Sequence, residues 1–221
     1  MNGARLTVDI VADPVCPWCY VGLRSFLAAR GALAGEFNVK ARIRPYQLNP
    51  GLPIGGVDRR SYYAQKFPDA ERLAAARAVI RENARLSGFD FDPAAPAHLP
   101  NTVKAHQIIR LALFSGDQEE VALAIYKAFW DEMKDIGDDE TLIAIAEEAG
   151  LDKAIASAAL ASPEDAAMVE AEADAFRRAG VAGVPTFIVN EHIGFSGGMP
   201  PDQLAAALRR AAVMTQGERT T

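Results

Sequence analysis

Apolar and polar positions alternate at the start of the chain, then change period. Leu6, Val8 and Ile10 share one parity, so residues 6–12 read as a buried strand. Asp13-Pro14 breaks it. Residues 20–31 take a helical period and are expected to end at Gly31. Val39, Ala41 and Ile43 recur at period two within residues 37–48, a second strand. A loop rich in Pro and Gly follows over residues 49–57.

From about residue 59 to 180 the pattern is helical, with no convincing strand. Residues 71–86 predict one long helix, stopped by Gly88. Residues 89–100 form a loop with three prolines. Asn101 or Thr102 caps the next helix, which runs to Phe114. Ala122, Ile125, Phe129 and Met133 mark one face of another, and Asp138 or Asp139 caps a third that reaches Ala149. Ser162-Pro163-Glu164-Asp165 joins a cap, a first-turn proline and acids at the positive end of a helix dipole. That helix closes on Arg177-Arg178 and Gly180. Residues 186–189 return to a strand pattern, Asn190-Glu191 turns the chain, and residues 192–195 come back antiparallel. Leu204, Ala207, Leu208 and Ala211 make the stripe of a terminal helix. The tail after Met214 is polar and expected to fray. The order is β-α-β, a helical block, then β-β-α.

Composition narrows the class. With 221 residues, half of them apolar and 24% charged, the chain has the make-up of a soluble globular protein of one domain or two small ones. The 23 basic and 29 acidic residues sum to −6 with no basic block, which argues against a nucleic-acid partner. No apolar run approaches the ~20 residues of a membrane helix. Residues 1–5 carry no charged-then-apolar leader, so the expected location is the cytoplasm.

The 2 cysteines, Cys16 and Cys19, stand one helical turn apart just after a strand. A helix start offers unpaired N–H groups and a positive dipole end, and both favour a thiolate. A thiolate at Cys16 attacks a disulfide sulfur, and Cys19 then resolves the mixed disulfide. Pro17 suits the first helical position. Trp18 is expected exposed beside the sulfurs as a contact surface. A zinc site would need further ligands from His98, His106 or His192, and no histidine pair has ligand spacing, so no metal is expected. Gly183-Val184-Pro185-Thr186 precedes a strand, where a cis peptide before Pro185 is an attractive reading.

Together, Cys16-Pro17-Trp18-Cys19-Tyr20-Val21-Gly22, Pro100-Asn101-Thr102 with Ala105-His106, Asp135-Ile136-Gly137-Asp138, Val184-Pro185-Thr186-Phe187 and Phe195-Ser196-Gly197-Gly198 resemble the DsbA-like oxidoreductases of the thioredoxin superfamily, in the FrnE branch. Kappa-class glutathione transferases and 2-hydroxychromene-2-carboxylate isomerases are related in fold and carry serine where this chain has Cys16. The resemblance implies an α/β thioredoxin fold, residues 1–57 and 180–221, with an inserted all-helical domain, residues 58–179. It implies Cys16 as attacking thiol, Cys19 as its partner and Pro185 as a cis-proline facing them. The backbone of Val184 would pair with an extended substrate. Substrate contacts are expected at Pro17, Trp18, Val184 and His106. The implied activity is thiol–disulfide exchange on protein disulfides or small thiols, with no bound cofactor beyond glutathione as a co-substrate. The alternative is a glutathione-dependent transferase or isomerase, and a third class is a binding module without catalysis.

In such folds an acid beneath the second cysteine assists proton transfer, and Asp9 is the candidate if its strand face points inward. Asp13 reads as a loop cap, His106 as an interior histidine or a substrate-lining one, and Asn101 and Thr102 as helix caps. Trp130 reads as core, and Ser196-Gly197-Gly198 as a turn or a close-approach loop.

Overall fold

A computed structural model describes residues 4–218. Residues 1–3, part of the segment read as lacking a leader, and residues 219–221, the end of the polar tail, lie outside the described residues. In chain order the elements are β1 (Ala4–Ala12), α1 (Pro17–Leu33), β2 (Phe37–Pro45), β3 (Val57–Asp58), α2 (Arg59–Lys66), α3 (Ala70–Leu86), β4 (His98–Leu99), α4 (Val103–Ser115), α5 (Gln118–Trp130), α6 (Asp139–Glu148), α7 (Lys153–Ala161), α8 (Pro163–Arg178), β5 (Thr186–Val189), β6 (Ile193–Ser196) and α9 (Pro201–Glu218).

The main sheet runs β2-β1-β5-β6, with β1 parallel to β2 and antiparallel to β5, and β5 antiparallel to β6. Leu6, Val8 and Ile10 are buried, as their parity predicts, and so are Val11 and Ala12, because β1 is a central strand covered on both faces. Helices α1 and α9 pack together, α9 also against β5 and β6, while α4, α5 and α8 pack against β2. One apolar cluster runs from β1 through α1 into α4, α5 and α6. This is the thioredoxin fold with helices between its two β segments. No helix among the described residues is long and apolar enough to cross a membrane.

Several boundaries differ from the sequence pattern. Helix α1 begins at Pro17, three residues earlier than its periodicity suggests, and passes Gly31 because burying Leu33 extends it. Strand β2 stops at Pro45 rather than residue 48. The helical block holds a two-residue strand pair, β3 with β4, too short to show a period. Helices α2 and α7 are short, and an Asp caps each: Asp58 accepts from the Ser61 N–H, and Asp152 from those of Ala154 and Ile155. Met133, expected on the face of α5, lies past its end in a left-handed turn and is exposed. The chain after Met214 stays helical to Glu218.

Candidate active site

Strand β1 delivers the chain to the turn Asp13-Pro14-Val15, where the Cys16 N–H donates to the Asp13 carbonyl at 2.9 Å. Cys16 is the N-cap of α1, in extended backbone, and its carbonyl accepts from Cys19 and Tyr20 at 3.0 and 3.3 Å. Pro17 fills the first helical position, where a missing N–H costs nothing. Cys16 therefore sits at the positive end of a 17-residue helix with no side-chain cap competing for its N–H groups. Both thiols are free and buried, Cys16 4% exposed and Cys19 1%. The Cys16 thiol donates to the Val184 carbonyl at 3.6 Å.

The opposite wall comes from the turn into β5. The peptide between Val184 and Pro185 is cis. Thr186 Oγ1 bonds the Gly183 carbonyl at 2.6 Å, and the Gly197 N–H donates to the Pro185 carbonyl at 2.9 Å. Pro185 lies so close to α1 that a Cβ on Gly22 would come within 2.7 Å of its Cγ. Gly198 likewise lets the loop after β6 lie on Trp18, at 2.8 Å from a would-be Cβ.

Beneath the thiols is a buried polar floor. Asp13 accepts from the Leu48 N–H at 2.7 Å and from the Val15 N–H at 3.4 Å. Burial pushes its carboxyl up to about 7 despite these bonds. His106 Nε2 lies 3.9 Å from Asp13 Oδ1 and 3.0 Å from the Tyr46 carbonyl. A carbonyl only accepts, so Nε2 carries the proton of the neutral ring. Burial pulls His106 down to about 4. Burial first, and the Cys16 side chain second, push the Cys19 thiol well above its ordinary value. Burial first, and the neighbouring Cys19 and Cys16 thiols after it, raise Tyr126, and no group meets its hydroxyl in hydrogen-bond geometry. The Tyr126 ring stacks on Tyr20 at 5.6 Å, and Trp130 donates to the Pro14 carbonyl at 2.9 Å. Helix α5 thus braces the cysteine loop.

In front of Cys16 opens a cavity of about 730 Å³. Cys16, Pro17, Trp18 and Val184 line it, with Leu48 and Phe67 as apolar walls. Trp18 is half-buried rather than exposed, because the Gly198 loop covers part of its ring. Cys19 and Pro185 stand behind this surface. His106 is not among the lining residues; it packs on the floor against Asp13. Asp9 does not serve the thiols: Arg42, its partner across the β1–β2 register, holds both carboxylate oxygens at 2.7 and 2.8 Å. Asp13, read from sequence only as a cap, is the acid beneath them, and its signal was its place three residues before Cys16 at the end of a buried strand. Tyr126, one position in an ordinary helical stripe, has no sequence signal, and neither do Arg59 and Tyr63, which also line the cavity. Among the described residues no cluster of His, Cys, Asp and Glu is placed to hold a metal ion.

The model of the DSBA-like thioredoxin domain matches residues 7–209. The chain belongs to that family. Among solved structures, this DsbA-like chain is similar to a probable DsbA oxidoreductase from Streptomyces coelicolor, 28% identical with a TM-score of 0.82, covering 93% of this chain and 89% of that one. It is 27% identical over 188 residues to the uncharacterised protein YwbO of Bacillus subtilis (strain 168), 84% of this chain and 88% of the relative. Two more distant structures share the fold. One is a 2-hydroxychromene-2-carboxylate isomerase, 20% identical, TM-score 0.65, covering 97% of this chain and 99% of the other. The second is the cytosolic disulfide reductase DsbM from Pseudomonas aeruginosa with GSH, 21% identical, TM-score 0.65, covering 92% and 98%.

Proposed function

We propose that this DsbA-like protein carries out thiol–disulfide exchange through Cys16 and Cys19, in the manner of the FrnE branch and in the cytoplasm. One observation carries the reading: the Cys16 sulfur lies at the start of α1, beside the Val184 backbone and at the wall of a cavity, with Cys19 one turn behind it. The Cys16 thiolate attacks one sulfur of a substrate disulfide. The S–S bond breaks, and the departing substrate sulfur takes a proton. Cys19 then gives up its proton and attacks the Cys16 sulfur. The second substrate sulfur leaves and is protonated in turn. Two electrons pass from the protein dithiol to the substrate, and the reverse sequence oxidises a substrate dithiol. Asp13, poised near neutrality under the thiols, takes the Cys19 proton at the second attack. Protein disulfides and small thiols, glutathione among them, are the substrate classes, and no bound cofactor is needed.

Stopped exchange assays test this. Cys16→Ser abolishes exchange, while Cys19→Ser accumulates a mixed disulfide that mass spectrometry detects. Full exchange by Cys16→Ser overturns the reading. Full activity of Cys19→Ser with a stable glutathione adduct on Cys16 would support the transferase alternative instead. Equilibration in glutathione buffers reads the direction: a potential of about −120 mV marks an oxidant, and one of about −270 mV a reductase.

A further inference from the structure

The cavity in front of Cys16 is cationic in a chain of net charge −6. Arg59, Lys66, Arg72 and Arg77 line it against a single carboxylate, Asp69. That carboxylate is committed: it caps α3, accepting from the Arg72 N–H at 2.9 Å. None of the four cations forms an ion pair among the described residues, whereas Arg42, Arg44, Arg81 and Arg209 are each held by a carboxylate. The hydrogen-bond and ring partners of Arg59, Lys66 and Arg77 are neutral, and Asp92 and Asp13 act on Arg59 and Lys66 only through space. Arg59 is 3% exposed and donates to the carbonyls of Pro93 and Pro96 at 2.8 and 3.1 Å, while its Nε has no partner. Its guanidinium lies 4.4 Å from the Tyr63 ring centroid, and that of Arg77 lies 6.0 Å from it. Lys66 donates to Asn49 Oδ1 at 2.5 Å.

Carbonyls and ring faces orient a cation without neutralising it. Four like charges converge on one partly apolar space, an arrangement that repels itself until an anion enters. The charge also runs in depth, from buried Arg59 through half-buried Arg77 to exposed Arg72 and Lys66. A small thiol would meet only part of that ladder. An extended segment lying along the Val184 backbone would present carboxylates to Arg77, Arg72 and Lys66, with the charge of buried Arg59 behind them.

We propose that the cavity selects disulfide-bonded polypeptides carrying Asp or Glu within a few residues of the reacting cysteine. The proposal rests on the exchange reading above. The chemistry at sulfur is unchanged; the carboxylates strengthen the encounter before Cys16 attacks.

The test uses the full-length dithiol protein and three peptide disulfides of one length, their cysteines flanked by Glu, Gln or Lys. Single-turnover rates are expected to fall in that order, with Glu over Lys by about tenfold at low salt, and to converge as added salt shortens screening below about 10 Å. Arg72→Gln with Lys66→Gln, both exposed positions, should bring the three rates within about twofold of one another. Equal rates in the parent protein, or an undiminished spread of about tenfold in the variant, overturn the proposal. A second readout does not need exchange: Cys16→Ser protein is titrated with the same peptides carrying blocked thiols, following Trp18 fluorescence. A Glu preference there upholds cavity selection even if the exchange reading fails, and no preference there overturns it.

Discussion

Asp13 and His106 meet under the dithiol with opposite proton linkages, and the two nearly cancel. Burial raises Asp13 to about 7 in the folded chain from 3.8, and lowers His106 to about 4 from 6.5. Between about pH 4 and 6.5 the folded pair holds its one proton on Asp13, and the unfolded pair holds one on His106. The proton counts match, so the pair adds little slope to stability in that window. Each single variant unmasks the other group. In Asp13→Asn only the unfolded state protonates His106 there, so stability rises with pH from about 4 to 6.5, by on the order of 3 kcal/mol. In His106→Gln the folded state alone keeps the Asp13 proton, so stability falls as pH rises from about 4 to 7. Urea titrations at several pH values check both signs, and a parent-like profile in either variant refutes the pairing. Tyr126 gives a second residue-scale prediction. Its hydroxyl is buried without a partner, so Tyr126→Phe should gain about 1 kcal/mol in urea unfolding. A loss of that size would show that the hydroxyl bonds a thiol. Asp13 and His106 each stand out in the sequence, but their pairing is not legible there. Asp13 and His106 are 93 positions apart, and only the docking of α4 under the cysteine loop brings them to 3.9 Å.

Elements were more legible than their joints. The caps at Ser162 and Asp138, the strand over Thr186–Val189 and the turn at Asn190-Glu191, both at positive φ, stand where local chemistry puts them. The signals are local because each cap or turn satisfies its own backbone. The missed feature is tertiary: β2 is a sheet edge, and α5 seals it. Gln118 Oε1 accepts from the Ile43 N–H at 2.8 Å, and its Nε2 donates to the carbonyls of Ile43 and Ile109, both at 3.1 Å. One amide thus completes the outward bonds of a buried edge residue and ties it to the middle of α4. Gln118→Ala leaves the Ile43 N–H and carbonyl buried and unpaired, at a cost of about 3 kcal/mol. Hydrogen exchange should show the Ile43 amide losing protection beyond the loss seen elsewhere in β2. Uniform loss along the strand would mean global destabilisation rather than a broken seal.

At the scale of the whole molecule, the chain order β-α-β, helices, β-β-α suggests that the helical block could be lifted away. We propose residues 1–57 and 180–221 as the thioredoxin-like unit and 58–179 as the insertion in the sense of topology, but the packing argues against energetic independence. A single apolar cluster joins β1 and α1 to α4, α5 and α6. Tyr20 of α1 has as aromatic neighbours Phe89, Phe91 and Tyr126, all from the block, at 4.9 to 5.6 Å. The cysteine loop depends on Trp130 for its Pro14 carbonyl, and Gln47 on Arg177 for its own. Removing the block would expose Tyr20 and the β2 edge at once, and a unit of roughly 100 residues has little surplus burial to offset that. A chain joining residue 57 directly to residue 180 should therefore lose near-UV circular dichroism and unfold in urea without a cooperative transition. A sharp transition with a slope suited to roughly 100 residues would show instead that the sheet unit folds alone. The helices would then be a cover for the cavity and not a share of the core.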